Sequence, residues 1–194
     1  MKERLSMPIA DDVVRKTCSF DVCCHCKSGC CQRVKPPLTL KRKKLIKNYL
    51  KEQKIRVNHP FTNEAYSFPA EDPLGFCVFY CKDTRKCLAH PVKPETCRAG
   101  PITFDINRRT QKVEWYLKTA DVCALAQTLR RNDTAFKAHF EVAKDELLRL
   151  VCNLDSKALE AILKIEEPHT VKIDEDDLPK EVTAKLGLEQ PNKQ

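Results

Sequence analysis

Apolar residues in the second half of this chain recur with the spacing of a helix face. Phe136, Phe140, Ala143, Leu147, Leu150 and Leu154 fall mostly three or four positions apart, which places them on one stripe of a 3.6-residue helix and predicts a helix over 133–154. SKALEAILKI, 156–165, predicts another. Nearer the start, Leu40, Leu45, Ile46, Tyr49 and Leu50 give a partly helical pattern, and Thr39 stands where an N-cap belongs. In the middle the period changes. PITFDI and KVEWYL flank NRRTQ and read as the two arms of a hairpin. FCVFYC, 76–81, reads as a short strand, and the Pro-, Asn- and aromatic-rich stretch 57–76 reads as loop. Residues 1–17 form a lead-in, and from Glu166 onward acids alternate with Pro and Lys, which predicts a loosely packed acidic tail. No internal repeat is present. The expected fold class is α+β, mostly helical with a small antiparallel β element. The expected division is a cysteine-rich domain over 1–125, a helical extension packed on it over 126–165, and the tail over 166–194.

Composition narrows the class. Charged residues make up 32% and hydrophobic ones 42% of the 194 residues, as in soluble globular proteins. No apolar run approaches 18 residues, so no membrane span is expected. MKERLSMPIADDVVRK lacks the apolar centre of a secretory signal, so the expected location is the cytoplasm, where thiols stay reduced. That decides how the twelve cysteines are read: metal binding or redox chemistry before a disulfide framework. Charge is concentrated too. Residues 33–56 hold ten Lys or Arg against the single acid Glu52, a net of +9 that exceeds the +8 of the whole chain. The segment is either a solvated helix face or a surface for an acidic protein or nucleic-acid partner.

The candidate chemistry lies in two cysteine groups far apart in sequence. VCCHCKSGCC, 22–31, contains Cys23-x2-Cys26-x3-Cys30-Cys31, and the second group is Cys77, Cys87 and Cys97 with Cys123 further on. Thiolates are soft anionic ligands suited to zinc or to iron–sulfur centres, both of which commonly take four cysteines. A Cys-x2-Cys spacing lets two ligands reach one metal from a single turn, and distant ligands then staple separate segments together. Neighbouring side chains on an extended segment point to opposite faces. Cys30 and Cys31 therefore suit two different centres better than one, unless a turn brings them together. Eight candidate ligands divide evenly into two sets of four, so one or two metal sites are expected.

The remaining groups have plainer readings. Cys18, Cys24, Cys81 and Cys152 are surplus to the eight; Cys152 lies beside the apolar stripe and reads as a buried small hydrophobe, while Cys24 and Cys81 are substitute ligands at most. His25 and His90 lie within the cysteine groups and read as supporting or solvent-facing groups before ligands. Lys93 and Arg98 would sit near thiolate charge, and Trp115 reads as a core residue. The chain lacks the Cys-x3-Cys-x2-Cys run of radical S-adenosylmethionine enzymes, the Cys-x2-Cys-His of c-type haem and the ferredoxin run. Cys23-x2-Cys26 has the thioredoxin spacing without its βαβ context. No Ser-His-Asp arrangement, phosphate loop or dinucleotide fingerprint is present.

Cys23-x2-Cys26-x3-Cys30-Cys31, followed by Cys87-x9-Cys97-Arg98 within KPETCRAGP, resembles the CxxCxxCC family, the YkgJ-type cysteine-cluster proteins described as zinc- or iron-chelating domains. The resemblance spans roughly 18–125 and implies metal ligation by Cys23, Cys26, Cys30, Cys31, Cys77, Cys87, Cys97 and Cys123. Flagellin lysine methylases carry a similar domain, which implies an iron–sulfur ([4Fe–4S]) cluster, one or two per chain, with zinc as the alternative. The chain departs from the family pattern at Lys93-Pro94, where Arg-Pro is usual, at His90, where Tyr is common, and at Gly100, where an aromatic is common. These departures leave the thiols intact and bear on any shared substrate. The expected function is an iron–sulfur protein in a redox, maturation or enzyme-assisting role. The alternatives are a structural zinc module that presents an interaction surface and a cluster-dependent modification enzyme.

Overall fold

The computed structural model describes residues 29–188. Cys18, Cys23, Cys24, His25 and Cys26 lie outside the described residues. Among the described residues the architecture is a mixture of helices and small antiparallel sheets, and it is organised around two apolar clusters. Helix α1 (Leu40–Glu52) starts as its sequence predicts: the Thr39 hydroxyl accepts a hydrogen bond from the Arg42 amide, satisfying one of the free first-turn donors. A hairpin of β1 (Phe61–Asn63) and β2 (Ser67–Pro69) follows, then a shorter one of β3 (Tyr80–Cys81) and β4 (Lys86–Cys87). A 3-10 turn over His90–Val92 leads into α2 (Glu95–Ala99).

The second half carries β5 (Ile102–Asn107), β6 (Lys112–Lys118), α3 (Ala124–Arg130), α4 (Asp133–Asn153), α5 (Ser156–Ile162), β7 (Thr170–Asp177) and α6 (Lys180–Lys185). Asn132 and Asp155 cap α4 and α5 by accepting from the Ala135 and Ala158 amides. The strands form one antiparallel sheet in the order β5-β6-β7, with Phe104 opposite Trp115 and Val113 opposite Asp176. Its inward residues Ile102, Ile106, Val113, Trp115 and Leu117 join Phe140, Ala143, Leu147 and Leu150 of α4 in the larger cluster. The smaller cluster gathers Leu38, Ile46, Leu50, Phe79 and Ala89, with Cys77 and Cys87 packed against it.

Three sequence expectations change. Residues 57–76 contain the β1–β2 hairpin as well as loop. FCVFYC is strand only at Tyr80–Cys81; Phe76 and Cys77 instead make isolated bridges to Gln32 and Glu71, so the run is divided between two partners. The helices expected to pack on the cysteine-rich part do share one apolar cluster with it, which draws on residues 99–117 and 140–186. The acidic tail is not loosely packed over 170–188. β7 is the third strand of the main sheet, and Leu178, Val182 and Leu186 are buried in the larger apolar cluster. Cations from elsewhere answer its acids: Lys144 Nζ lies 2.9 Å from Asp174 and 2.8 Å from Asp176, and Lys112 Nζ lies 2.6 Å from Asp177. The Trp115 indole N–H donates to Asp176 over 2.6 Å. Acid-rich composition reads as unfolded only when the complementary charges are out of sight in sequence.

Leu178 tests this directly. Leu178→Ala is expected to cost about 2–5 kcal/mol in denaturant unfolding, as for other buried leucines. A detached tail would give a change within about 0.5 kcal/mol.

Candidate metal centre

Three segments bring described cysteines to one region. The first is a tight turn in which the Gln32 amide donates to the Gly29 carbonyl over 2.7 Å. Cys30 and Cys31 occupy its middle, and their thiols hydrogen-bond to each other. Of the two possibilities the sequence left open for this pair, divergence on extended backbone or approach in a turn, the backbone takes the turn. The second segment supplies Cys77 and Cys87. The Cys77 amide donates to the Cys31 carbonyl over 2.8 Å, and Cys87 sits on β4 opposite Tyr80. The third is α2, which carries Cys97.

A five-residue helix is too short to persist unaided. Buried charges hold α2 in place. Arg42 of α1 reaches across to donate through Nη2 to Glu146 of α4, lies 3.7 Å from Glu95 Oε1 through Nε, and donates through Nη1 to the Lys93 carbonyl over 3.2 Å. Arg98 Nε approaches the other Glu146 oxygen to 3.1 Å. The Thr39 hydroxyl, besides capping α1, donates to Glu95 Oε1 over 2.5 Å. Arg42, Glu95 and Glu146 are exposed by 6%, 1% and 5%, so these charges depend on one another rather than on water. Burial still raises the Glu95 pKa against the Thr39 hydrogen bond and the Arg42 charge. At the far end of α2, His139 Nε2 sits 3.0 Å from the Ala99 carbonyl and 3.1 Å from that of Gly100. Both are acceptors, so this nitrogen carries the proton.

The thiols feel one another electrostatically. Cys30, Cys87 and Cys97 each perturb at least one neighbouring cysteine, and Cys31 and Cys77 are among those perturbed. Cys97 is driven strongly upward, first by burial and then by Cys87, Cys77 and Cys30, while Lys93 opposes the shift. Burial, then Cys87 and Glu71, pushes Cys77 up to about 12. Burial likewise raises Cys87, against Lys93. The hydrogen bond from Cys31 lowers Cys30, and the same bond followed by burial raises Cys31. Lys93 thus lies where sequence placed it, near thiolate charge. Arg98 is instead taken up by Glu146. Burial, then Lys93 and Arg98, depresses His90 to about 4, which leaves its imidazole neutral near pH 7.

The remaining described cysteines have contacts of their own. Cys123 precedes the first residue of α3 and packs against the larger cluster. Cys81 hydrogen-bonds with Thr84 in the β3–β4 turn, which lowers its pKa. Cys152 packs against the larger cluster and meets Glu181 of α6; burial, then that hydrogen bond, pushes it up to about 12. Among the described residues no group of three or more Cys, His, Asp or Glu side chains is assembled as a ready chelate. The donor set nevertheless has the chemistry of a metal site: several soft thiols from separate segments, a cation beside them, and a carboxylate at Glu71 whose buried Oε1 has no hydrogen-bond partner among the described residues. Sequence reasoning missed Glu71, Glu95 and Glu146. Only Glu146 left a readable signal, since it falls between Ala143 and Leu150 on the apolar stripe.

Glu146→Ala leaves the buried Arg42 and the partly exposed Arg98 without the carboxylate they share. The expected cost is about 3–5 kcal/mol in urea unfolding, as for other broken buried pairs. A loss below about 1 kcal/mol, in the range of surface pairs, would show that solvent screens the network.

Comparison with protein families gives one match. The CxxCxxCC family, described as a "Putative zinc- or iron-chelating domain", matches residues 22–124, more than half of the chain. No curated protein matches, and no solved structure matches. Among the described residues no helix is long and apolar enough to cross a membrane.

Proposed function

The chain belongs to the CxxCxxCC family, and from that premise we propose that it binds iron as an iron–sulfur cluster and serves a redox, maturation or enzyme-assisting role. The observation that carries the reading is the convergence of thiols from the Gly29–Gln32 turn, the β3–β4 region and α2 on one electrostatically coupled region. Cys23, Cys26, Cys30, Cys31, Cys77, Cys87, Cys97 and Cys123 are the proposed ligand set, and four thiolates per cluster is the usual demand. When bound, the cluster supplies one-electron chemistry or a structural staple. The chain's own residues do the rest. Lys93 offsets thiolate charge, the Arg42–Glu146–Arg98 network fixes the helix that presents Cys97, and Phe79 and Ala89 form part of the apolar backing of Cys77 and Cys87. A second reading, a zinc site, is favoured by Glu71 alone, because a carboxylate oxygen suits zinc and is not a usual cluster ligand.

Anaerobically prepared protein is expected to contain iron and sulfide and to show a broad charge-transfer band that bleaches in air or dithionite. Colourless protein that takes up stoichiometric zinc and no iron after reconstitution would refute the cluster. Cys77→Ser, Cys87→Ser and Cys97→Ser are each expected to lower metal content. Cys152→Ser keeps it, at a cost of about 1–3 kcal/mol if the new hydroxyl is unpaired. Full metal retention in both Cys30→Ser and Cys31→Ser would remove the pair from the ligand set.

The partner side of the proposal rests on α1. Lys41, Lys44, Lys47 and Lys51 are exposed there, whereas Arg42 is committed to the buried network and Lys43 to Asn63. Capture of an acidic protein or nucleic-acid partner by this face is expected to weaken steeply between 0.1 and 1 M salt, as the Debye length falls from ~10 to ~3 Å. Charge reversal at these four lysines that leaves capture unchanged would make α1 an ordinary solvated helix.

A further inference from the structure

We infer that Glu71 supplies a carboxylate oxygen to the metal centre beside Cys77; the inference rests on the thiolate–metal reading above and adds to it a ligand outside the cysteine set.

Backbone geometry brings the two residues together. Residues 70–78 fold back on themselves: the Asp72 amide donates to the Phe76 carbonyl over 2.7 Å, and the Val78 amide to the Ala70 carbonyl over 2.9 Å. Gly75 closes the turn at φ +80°, a conformation that glycine adopts without strain, and its amide donates to the Asp72 carbonyl over 2.8 Å. The Asp72 side chain ties the loop by accepting from the Leu74 and Phe76 amides, each over 2.9 Å. The result is an antiparallel bridge with Glu71 directly opposite Cys77. Side chains so placed emerge on the same face with Cβ atoms about 4.5–5.5 Å apart. The Cys77 amide is in turn bonded to the Cys31 carbonyl, so Glu71 stands beside the strand crossing that joins two of the cysteine segments.

The Glu71 carboxylate is incompletely satisfied. Its Oε1 is shut from solvent and has no hydrogen-bond partner among the described residues. Leaving an anionic oxygen in that condition is costly unless a cation meets it. Two nearby ammonium groups make their close ion pairs elsewhere, Lys82 with Asp72 at 2.7 Å and Lys35 with Glu64 at 3.0 Å, and although the Lys35 charge is felt by Glu71, no hydrogen bond reaches Oε1. A metal ion held by Cys77 would lie on the same face as this oxygen. A mixed thiolate–carboxylate shell suits a single divalent ion of borderline softness, zinc or ferrous iron, rather than the all-cysteine shell of a cluster.

The experiment uses full-length, metal-free protein, with zinc affinity read by competition against a chromophoric chelator and cobalt(II) ligand-field absorption as the reporter of the donor set. Glu71→Gln and Glu71→Ala are expected to weaken zinc binding roughly 10–100-fold, the range seen when groups supporting a metal site are removed, and to shift the cobalt bands. The metal-free thermal midpoint should stay level or rise, because an oxygen buried without a hydrogen-bond partner is gone. Glu64→Gln, an exposed carboxylate on Lys35, should change neither affinity nor spectrum. Wild-type affinity and an unchanged cobalt spectrum in both Glu71 variants overturn the inference while leaving the thiolate centre standing. A fall in the metal-free midpoint equal to that of the loaded protein also overturns it, by making Glu71 a structural residue. If the wild type binds neither zinc nor cobalt, the inference fails, while the iron–sulfur reading stands or falls separately on the iron and sulfide content of the anaerobic protein.

Discussion

One carboxylate in an apolar stripe ties this structure together. Glu146 sits on the face of α4 that packs the larger cluster, yet it is reached by Arg42 from α1 and by Arg98 from α2. Those helices belong to different surroundings. Ile46 and Leu50 of α1 help build the smaller cluster, whereas Ala99 of α2 joins the larger one. The ion network therefore fixes the relative placement of the two clusters at the point where Cys97 enters. Buried pairs seldom stabilise more than apolar residues of equal volume would. What they supply here is direction: a guanidinium satisfies two carboxylates and a backbone carbonyl only in one arrangement, and that arrangement orients α2.

The same logic of fixed geometry governs the thiols. Sequence spacing suggests that Cys30 and Cys31 serve separate centres because extended neighbours diverge. The Gly29–Gln32 turn cancels that divergence and sets both sulfurs side by side. Cys77 is held to this turn by a backbone bond to Cys31, and Cys87 is held to Cys77's neighbourhood by the Leu88 amide bonding to the Phe79 carbonyl. Main-chain bonds thus do the assembling, and the sulfur atoms are left free of that task.

How much of this was legible in the chain follows from the range of each signal. The stripe from Phe136 to Leu154, the Thr39 cap and the PITFDI–KVEWYL hairpin were readable because each depends on residues within a few positions. The third strand was not. TVKIDEDD places only Val171 and Ile173 among charges, and its pairing depends on Trp115, Lys112 and Lys144 far upstream. The cysteine positions were legible as a pattern, and Lys93 as their cation, but the assignment of Arg98 to Glu146 required knowing where α4 lies. Glu71 carried no local mark at all, since only its register against Cys77 gives it significance.

Charge placement around the thiols limits what a bound centre can be. Burial first and neighbouring thiol charge after it drive Cys97 upward, while the hydrogen bond between Cys30 and Cys31 lowers the one and raises the other. Lys93 is the cation that recurs against Cys30, Cys87 and Cys97, while Arg42 and Arg98, although near in sequence to the site, are neutralised by buried carboxylates. Lys118 adds a second cation beside Cys30. Burial keeps Cys77, Cys87 and Cys97 toward the neutral thiol while no metal is bound. The divalent ion or iron–sulfur core proposed for them would have to displace those protons, so its uptake would release protons and strengthen as pH rises.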